Sequence, residues 1–231
     1  MITFENVSKS YLSQNALNNV DLRLPSGKII GIIGENGSGK STMLKLMAGL
    51  IRPTKGTVKV NNSPANRKIS EIVTYLSELD AYYTIYTVKQ TIDFFATQFK
   101  DFNLDKAYTI MEFMKLAPDQ KVKNLSKGNR GRLKIVLSLA RDVPYILLDE
   151  PFSGLDPMVR ESVVKGLLSY IDLNKQTVII TTHEIQEVEA LLDMIVVIRN
   201  GKILNMRNVE ELHENEKKSV VEWLKKVYDA S

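Results

Sequence analysis

The sequence predicts an α/β fold built on a mainly parallel sheet, and three observations carry that expectation. Three short apolar runs, "KIIGII" at 28–33, "YILL" at 145–148 and "TVIIT" at 177–181, are continuous rather than alternating. Strands buried on both faces of a parallel sheet read this way. Each run ends at a polar cluster: a glycine loop at Gly34, an acidic pair at Asp149–Glu150, and His183. In open α/β sheets ligands bind beyond the carboxyl ends of the strands, so three polar motifs at three strand ends point to one shared site. Third, the texture turns helical between about 86 and 141, as expected of a helical lobe inserted into a sheet domain.

The elements follow in order. After the glycine loop, "STMLKLMAGL" reads as a helix. Thr87 with Gln90 makes a capping-box pattern, and Val88, Ile92, Phe95 and Phe99 then form one apolar face. A second helix is predicted from near Asn103 to about Leu116. In "NLSKGNRGRLKIVLSLA", Ser126 stands at an N-cap position, and Leu133, Val136, Leu137 and Ala140 repeat at helical spacing. Asp156 and Pro157 fit the N-cap and first turn of a helix running to about Ile171. "MIVVIRNGKIL" predicts a hairpin around Asn200–Gly201. The last twenty residues read as a charged helical tail.

Composition narrows the classes. The chain has 231 residues, 44% hydrophobic and 25% charged, which suits one large globular domain or a domain with an inserted lobe. No apolar run approaches the roughly 18–20 residues of a membrane span, and the N-terminus lacks the pattern of an export signal. With no cysteine, disulfides and thiolate metal sites are excluded, and the composition fits the cytosol. A net charge of +4 suits phosphate ligands or an acidic membrane surface and does not by itself support nucleic-acid binding.

The chemistry is concentrated in the motifs. Gly34-Glu35-Asn36-Gly37-Ser38-Gly39-Lys40-Ser41, followed by Thr42, matches G-x-x-x-x-G-K-[ST] between a predicted strand and a predicted helix. Glycines let backbone N–H groups wrap phosphates, Lys40 reaches the β- and γ-phosphates, and the Ser41 hydroxyl suits Mg²⁺. Two adjacent carboxylates at a sheet edge, Asp149 and Glu150, are costly unless a cation compensates them. Asp149 is therefore expected to hold Mg²⁺ and Glu150 to deprotonate an attacking water. His183 is expected to contact the γ-phosphate, whereas His213, in "EELHENEKK", reads as surface. The start of the Ser126 helix, with Gly128 leaving N–H groups uncovered and Arg130 and Arg132 following, is a second place prepared for an anion.

The motif set resembles the nucleotide-binding subunit of ATP-binding cassette (ABC) transporters over roughly residues 2–205, through the phosphate loop, "YILLDEP", "SGLD" at Ser153–Asp156 and "TTHE" at His183. The resemblance implies a P-loop NTPase with an N-terminal antiparallel β region and an inserted helical subdomain. The catalytic core would be about 1–85 and 142–205, the helical subdomain about 86–141 and a tail about 206–231. It implies ATP and Mg²⁺ as cofactors, a head-to-tail pair with a second ATPase subunit, and separate membrane-spanning permease subunits. That places the chain peripherally on the cytoplasmic face of the membrane, with export weakly favoured over import. Each ATP would lie between one subunit's phosphate loop and the partner's signature helix, so Ser126, Gly128 and Asn129 would complete the partner's site. Ser153, Gly154 and Asp156 would serve the contact between subunits, and Tyr11 would stack on adenine, a contact worth about 1–3 kcal/mol in nucleic-acid cases.

Two departures stand out. The usual signature L-S-G-G-Q is Leu125-Ser126-Lys127-Gly128-Asn129 here. A left-handed backbone at Lys127 would cost about a kcal/mol, while its charge would attract phosphate. The usual metal-liganding glutamine is Glu78, whose carboxylate can still take Mg²⁺. Two other readings compete: a soluble ABC-type ATPase acting on nucleic acid or ribosomes, motivated by the basic run from Lys121 to Lys134, and a cassette that binds ATP with little hydrolysis.

Overall fold

In the computed structural model, which describes residues 1–12, 14–77, 83–216 and 219–229, the strands are β1 (Ile2–Tyr11), β2 (Gln14–Leu24), β3 (Ile29–Ile33), β4 (Lys55–Val60), β5 (Ser63–Pro64), β6 (Val73–Leu76), β7 (Tyr145–Asp149), β8 (Thr177–Thr182), β9 (Met194–Arg199) and β10 (Lys202–Asn208). The helices are α1 (Lys40–Met47), α2 (Val88–Gln98), α3 (Leu104–Phe113), α4 (Lys127–Leu139), α5 (Pro157–Tyr170), α6 (Val209–Glu216) and α7 (Val220–Asp229).

The central sheet runs β10-β9-β3-β8-β7-β6, parallel throughout except for the β9–β10 hairpin. The three apolar runs are thus the neighbouring strands β3, β8 and β7, every residue of them buried. Their residues alternate between two cores. Ile30, Ile32, Leu147 and Ile179 pack with α1 and the antiparallel sheet β2-β1-β4-β5 on one side. Ile29, Ile33, Ile146, Leu148, Val178 and Ile180 pack with α4 and α5 on the other. A strand between two hydrophobic layers has no solvent face, which is why its sequence does not alternate.

The helical segment forms where the local signals place it. Thr87 Oγ1 accepts the Gln90 N–H (3.1 Å) and the Gln90 side chain accepts the Thr87 N–H (2.9 Å), completing the capping box of α2. Val88 and Ile92 are buried, with Phe95 packed against the same core. Asn103 caps α3 as expected, but the helix stops at Phe113 rather than near Leu116. Lys115 takes a left-handed φ of 55°, with N–H bonds from Leu116 to the Met111 carbonyl (3.1 Å) and from Lys115 to the Glu112 carbonyl (2.9 Å). This is a Schellman turn made without glycine. Asp156 caps α5 with Pro157 in its first turn, and Asn200 (φ 49°) and Gly201 (φ 73°) form the predicted hairpin.

The tail does more than its charge suggested. Val220, Trp223 and Leu224 bury one face of α7 against the helical core, and the Val220 N–H donates to Glu189 Oε1 (3.0 Å). Spaced at i, i+3 and i+4, they are one helical stripe.

Candidate functional site

Because β3, β8 and β7 are adjacent and parallel, their carboxyl ends deliver the glycine loop, His183 and the acidic pair to one edge of the sheet. They enclose a cleft of about 400 Å³. Asn36, Gly37, Gly39, Lys40, Ser41, Thr42, Glu150, Ser153 and His183 line it, with Tyr11 from the end of β1.

The loop is shaped to leave donors uncovered. Gly39, at φ 113°, is the N-cap of α1, and a Cβ there would come within 2.6 Å of the Ala16 carbonyl. No side chain caps α1 and no acidic residue stands in its first turn, so its N–H groups face the cleft with the positive end of the helix dipole. Gly34 and Ser38 do not line the cleft. Gly34 packs under Ile198, and the Ser38 carbonyl accepts the Gly201 N–H (2.9 Å), so the β9–β10 hairpin braces the loop from behind.

Lys40, 5% exposed, donates to the carbonyls of Gly34 (2.7 Å) and Glu35 (3.2 Å) and pairs with Glu150 Oε1 at 3.1 Å. A buried charge needs such company. The other oxygen of Glu150 lies 2.9 Å from His183 Nδ1, and His183 Nε2 is 3.3 Å from Glu184 Oε1. Asp149 is held on both oxygens: Ser41 Oγ (2.9 Å) and Thr181 Oγ1 (2.8 Å) donate to Oδ1, and the Tyr75 hydroxyl (2.9 Å) to Oδ2. Glu150 itself has a left-handed φ of 47°, and its N–H donates to Thr181 Oγ1 (2.9 Å). A non-glycine residue held there costs about 1–2 kcal/mol, and such strain collects at functional sites.

At this edge the chain matches the ABC transporter family over residues 17–153. The chain belongs to that family. It is 29% identical to the ABC transporter ATP-binding protein YtrB of Bacillus subtilis, over 93% of this chain and 74% of YtrB. It is 31% identical to the probable sulfate/thiosulfate import ATP-binding protein CysA of Chlorella vulgaris, over 93% of this chain and 94% of that one. Among solved structures it is similar to the dimeric bacterial ABC transporter cassette MJ0796, with a TM-score of 0.81, 25% identity, and coverage of 90% of this chain and 99% of that one. The chain is an ABC transporter ATP-binding subunit with the ABC ATPase fold.

Within that family frame the remaining expected residues fall in two groups. Ser126 caps α4 by accepting the Asn129 N–H (3.2 Å), and Gly128 packs on Val159, where a Cβ would stand 2.9 Å from Cγ2. Neither these residues nor Asn129 lines the cleft of their own chain. Lys127 is the first residue of α4, with helical backbone, so the left-handed cost considered for it does not arise. Its ammonium instead lies against Gly154 of the same chain. Ser153 lines the cleft and Asp156 Oδ1 accepts the Val159 N–H (3.0 Å). Tyr11 is 44% exposed, with Lys9 Nζ 5.0 Å from its ring centroid. Glu78 lies outside the described residues, and the side chain of His213 is not described.

Sequence reasoning missed Tyr75 and Thr181. Thr181 stood in view inside "VIITTH", where a hydroxyl in an apolar strand asks for a partner. Tyr75 could be found only by knowing that β6 pairs with β7.

Proposed function

We propose that this subunit hydrolyses ATP with Mg²⁺ as one half of a head-to-tail pair, and that hydrolysis drives separate membrane-spanning subunits. The observation that carries the reading is the meeting of Lys40, Glu150 and His183 within about 3 Å contacts at the mouth of the phosphate loop. An arriving γ-phosphate takes Lys40 from Glu150 and leaves Oε1 free to accept a proton. His183 holds Oε2, so the freed oxygen is turned toward the attacking water. The water oxygen bonds to the γ-phosphorus, its proton passes to Glu150, and the γ-phosphorus–oxygen bond breaks with its electron pair going to ADP.

Ser41 Oγ and Asp149 Oδ1, both hard oxygens 2.9 Å apart, suit Mg²⁺, which takes few protein ligands and completes its shell with phosphates and water. Bound there, Mg²⁺ supplies charge neutralisation to the phosphate oxygens. Glu78 is the further ligand we propose.

The head-to-tail pairing is supported by a second helix start free of acidic residues in the same chain. Like α1, α4 begins without an acidic residue in its first turn, yet its start is not part of its own cleft. Ser126, Gly128 and Asn129 then serve the partner's ATP, and Ser153, Gly154 and Asp156 lie at the contact between subunits. Tyr11, at the cleft wall, is the adenine platform.

Among the described residues no helix is long and apolar enough to cross a membrane, and the family membership supports placing the spanning part on separate subunits. We place the spanning partner's cytosolic segment in the groove of about 290 Å³ between β6, α2 and α4, lined by Phe95 and Phe99, where the Arg141 guanidinium, paired with Asp101, lies 3.9 Å from the Phe99 ring centroid. We place the subunit peripherally on the cytoplasmic face. The direction of transport, for which export was the weak expectation, is assigned to the spanning subunits, since one relative above is named for import. The nucleic-acid reading loses its footing: Lys134 is buried, Arg130 Nε donates to the Leu125 carbonyl (3.2 Å) and Arg132 Nη1 to Asn129 Oδ1 (3.2 Å). The basic run is not one exposed face.

Glu150→Gln tests the reading. It keeps shape and removes the base, so hydrolysis should fall at least about 100-fold while ATP still binds and holds an ATP-dependent dimer on gel filtration. Hydrolysis within a fewfold of wild type would remove Glu150 from its role and support a different chemistry.

A further inference from the structure

Tyr75 lies on β6, the last strand of the central sheet, and its reach follows from the register. β6 and β7 run parallel with Tyr75 opposite Leu147. Side chains two apart on a strand share a face, so Asp149 stands on the same face as Leu147 and Tyr75, one diagonal step along. A tyrosine is long enough to cover that step, and its hydroxyl donates to Asp149 Oδ2 at 2.9 Å. The ring packs against the core on the α1 side, so the hydroxyl is carried by a fixed side chain.

Asp149 is 3% exposed, and its two oxygens face different neighbours. Oδ1 accepts from Ser41 and Thr181 and stands 2.9 Å from Ser41 Oγ. Neighbouring ligands of an octahedral Mg²⁺ at about 2.1 Å stand about 3 Å apart, so these two oxygens already have the spacing of one octahedral edge. The two oxygens of a single carboxylate are closer together than that. A carboxylate that offers both suits Ca²⁺, which takes more oxygens at longer distances in a looser geometry. The last torsion of an aspartate is broad and roughly two-fold. Held at Oδ1 alone, the group would pivot about that oxygen and bring Oδ2 round to a cation. The Tyr75 hydroxyl stops that pivot.

We infer that Tyr75 is a positioning residue that makes this site select Mg²⁺ over larger divalent cations, by holding Oδ2 so that Asp149 presents Oδ1 alone. The inference rests on the reading of Ser41 and Asp149 as Mg²⁺ ligands given above. It gives β6 a part in the metal site that no sequence motif marks.

The test is nucleotide binding to the full chain, read by calorimetry with an ATP analogue whose β–γ bridge is nitrogen, so that nothing is cleaved. Affinity is measured without divalent metal and at fixed free Mg²⁺ or Ca²⁺, in wild type and Tyr75→Phe. The phenylalanine keeps the ring and its packing and removes the hydroxyl. Wild type should bind the analogue more tightly with Mg²⁺ than with Ca²⁺. In Tyr75→Phe the ratio of Ca²⁺ to Mg²⁺ affinity should rise at least about fivefold, with metal-free affinity unchanged. A merely structural role for Tyr75 would lower all three affinities together and leave that ratio where it was. An unchanged ratio in the variant, or a wild type that prefers Ca²⁺, would overturn the selection while leaving the metal site standing. Should wild type bind the analogue no better with either metal than without, the reading of Ser41 and Asp149 as metal ligands falls and the inference with it.

Discussion

Thr181 is a fully buried hydroxyl in the middle of the sheet, and it ties the adjacent carboxylate residues Asp149 and Glu150 together. Its Oγ1 donates to Asp149 and accepts the N–H of Glu150, the residue whose φ of 47° is otherwise unfavourable. Thr181→Val keeps the volume and removes both bonds. Leaving a buried N–H without a partner costs about 1–3 kcal/mol, so urea denaturation should show a loss of that size. Because Glu150 also loses its anchor, the turnover number should fall at least about tenfold with ATP affinity nearly unchanged. Equal turnover in wild type and variant would mean that Glu150 is held by Lys40 and His183 alone. At this scale the sequence was legible for residues in contiguous motifs: Lys40, Ser41, Asp149, Glu150 and His183 all stand at the predicted edge. Tyr75 was not, because its bond to Asp149 depends on which strands become neighbours. The strain at Glu150 was equally hidden, since a carboxylate in a left-handed conformation leaves no compositional mark.

Among elements, α2 shows local signals acting as written. Thr87→Ala removes the side-chain half of the capping box and should cost about 1 kcal/mol, read as a shift of the urea midpoint without a change of slope. A loss below about 0.3 kcal/mol would mean that the contacts of Val88 and Ile92 hold the first turn without the cap. The end of α3 was misjudged by about three residues for a comparable reason in reverse. Its Schellman turn uses Lys115 where glycine would have marked the stop, and Leu116 continues the apolar pattern beyond the helix while remaining buried. The three central strands were legible because burial on both faces writes a continuous apolar run. The docking of α7 was not, since charged residues surround the stripe of Val220, Trp223 and Leu224 and the face they cover is assembled from distant segments.

For the whole molecule, the central claim is that one chain carries two half-sites and that an active site needs two chains. In that proposal the phosphate loop and acidic pair are one half, and Ser126, Gly128 and Asn129, on a helix start outside that cleft, are the other. Ser126→Arg should leave ATP binding to Lys40 and Ser41 nearly intact and block closure of the pair, and Lys40→Ala should abolish binding in its own half-site. The most direct measurement, for a homodimer, mixes these two inactive variants and reads steady-state ATPase activity. In each mixed dimer both lesions fall in one composite site and the other is whole, so activity should return, up to about half of wild type per mixed dimer if the sites are independent. Activity that stays at background although mixed dimers form would contradict two independent composite sites. Combining both lesions in one chain and pairing it with wild type then decides the arrangement: the account predicts no activity, because each composite site receives one lesion, and activity near half of wild type would show that α4 serves the ATP of its own chain.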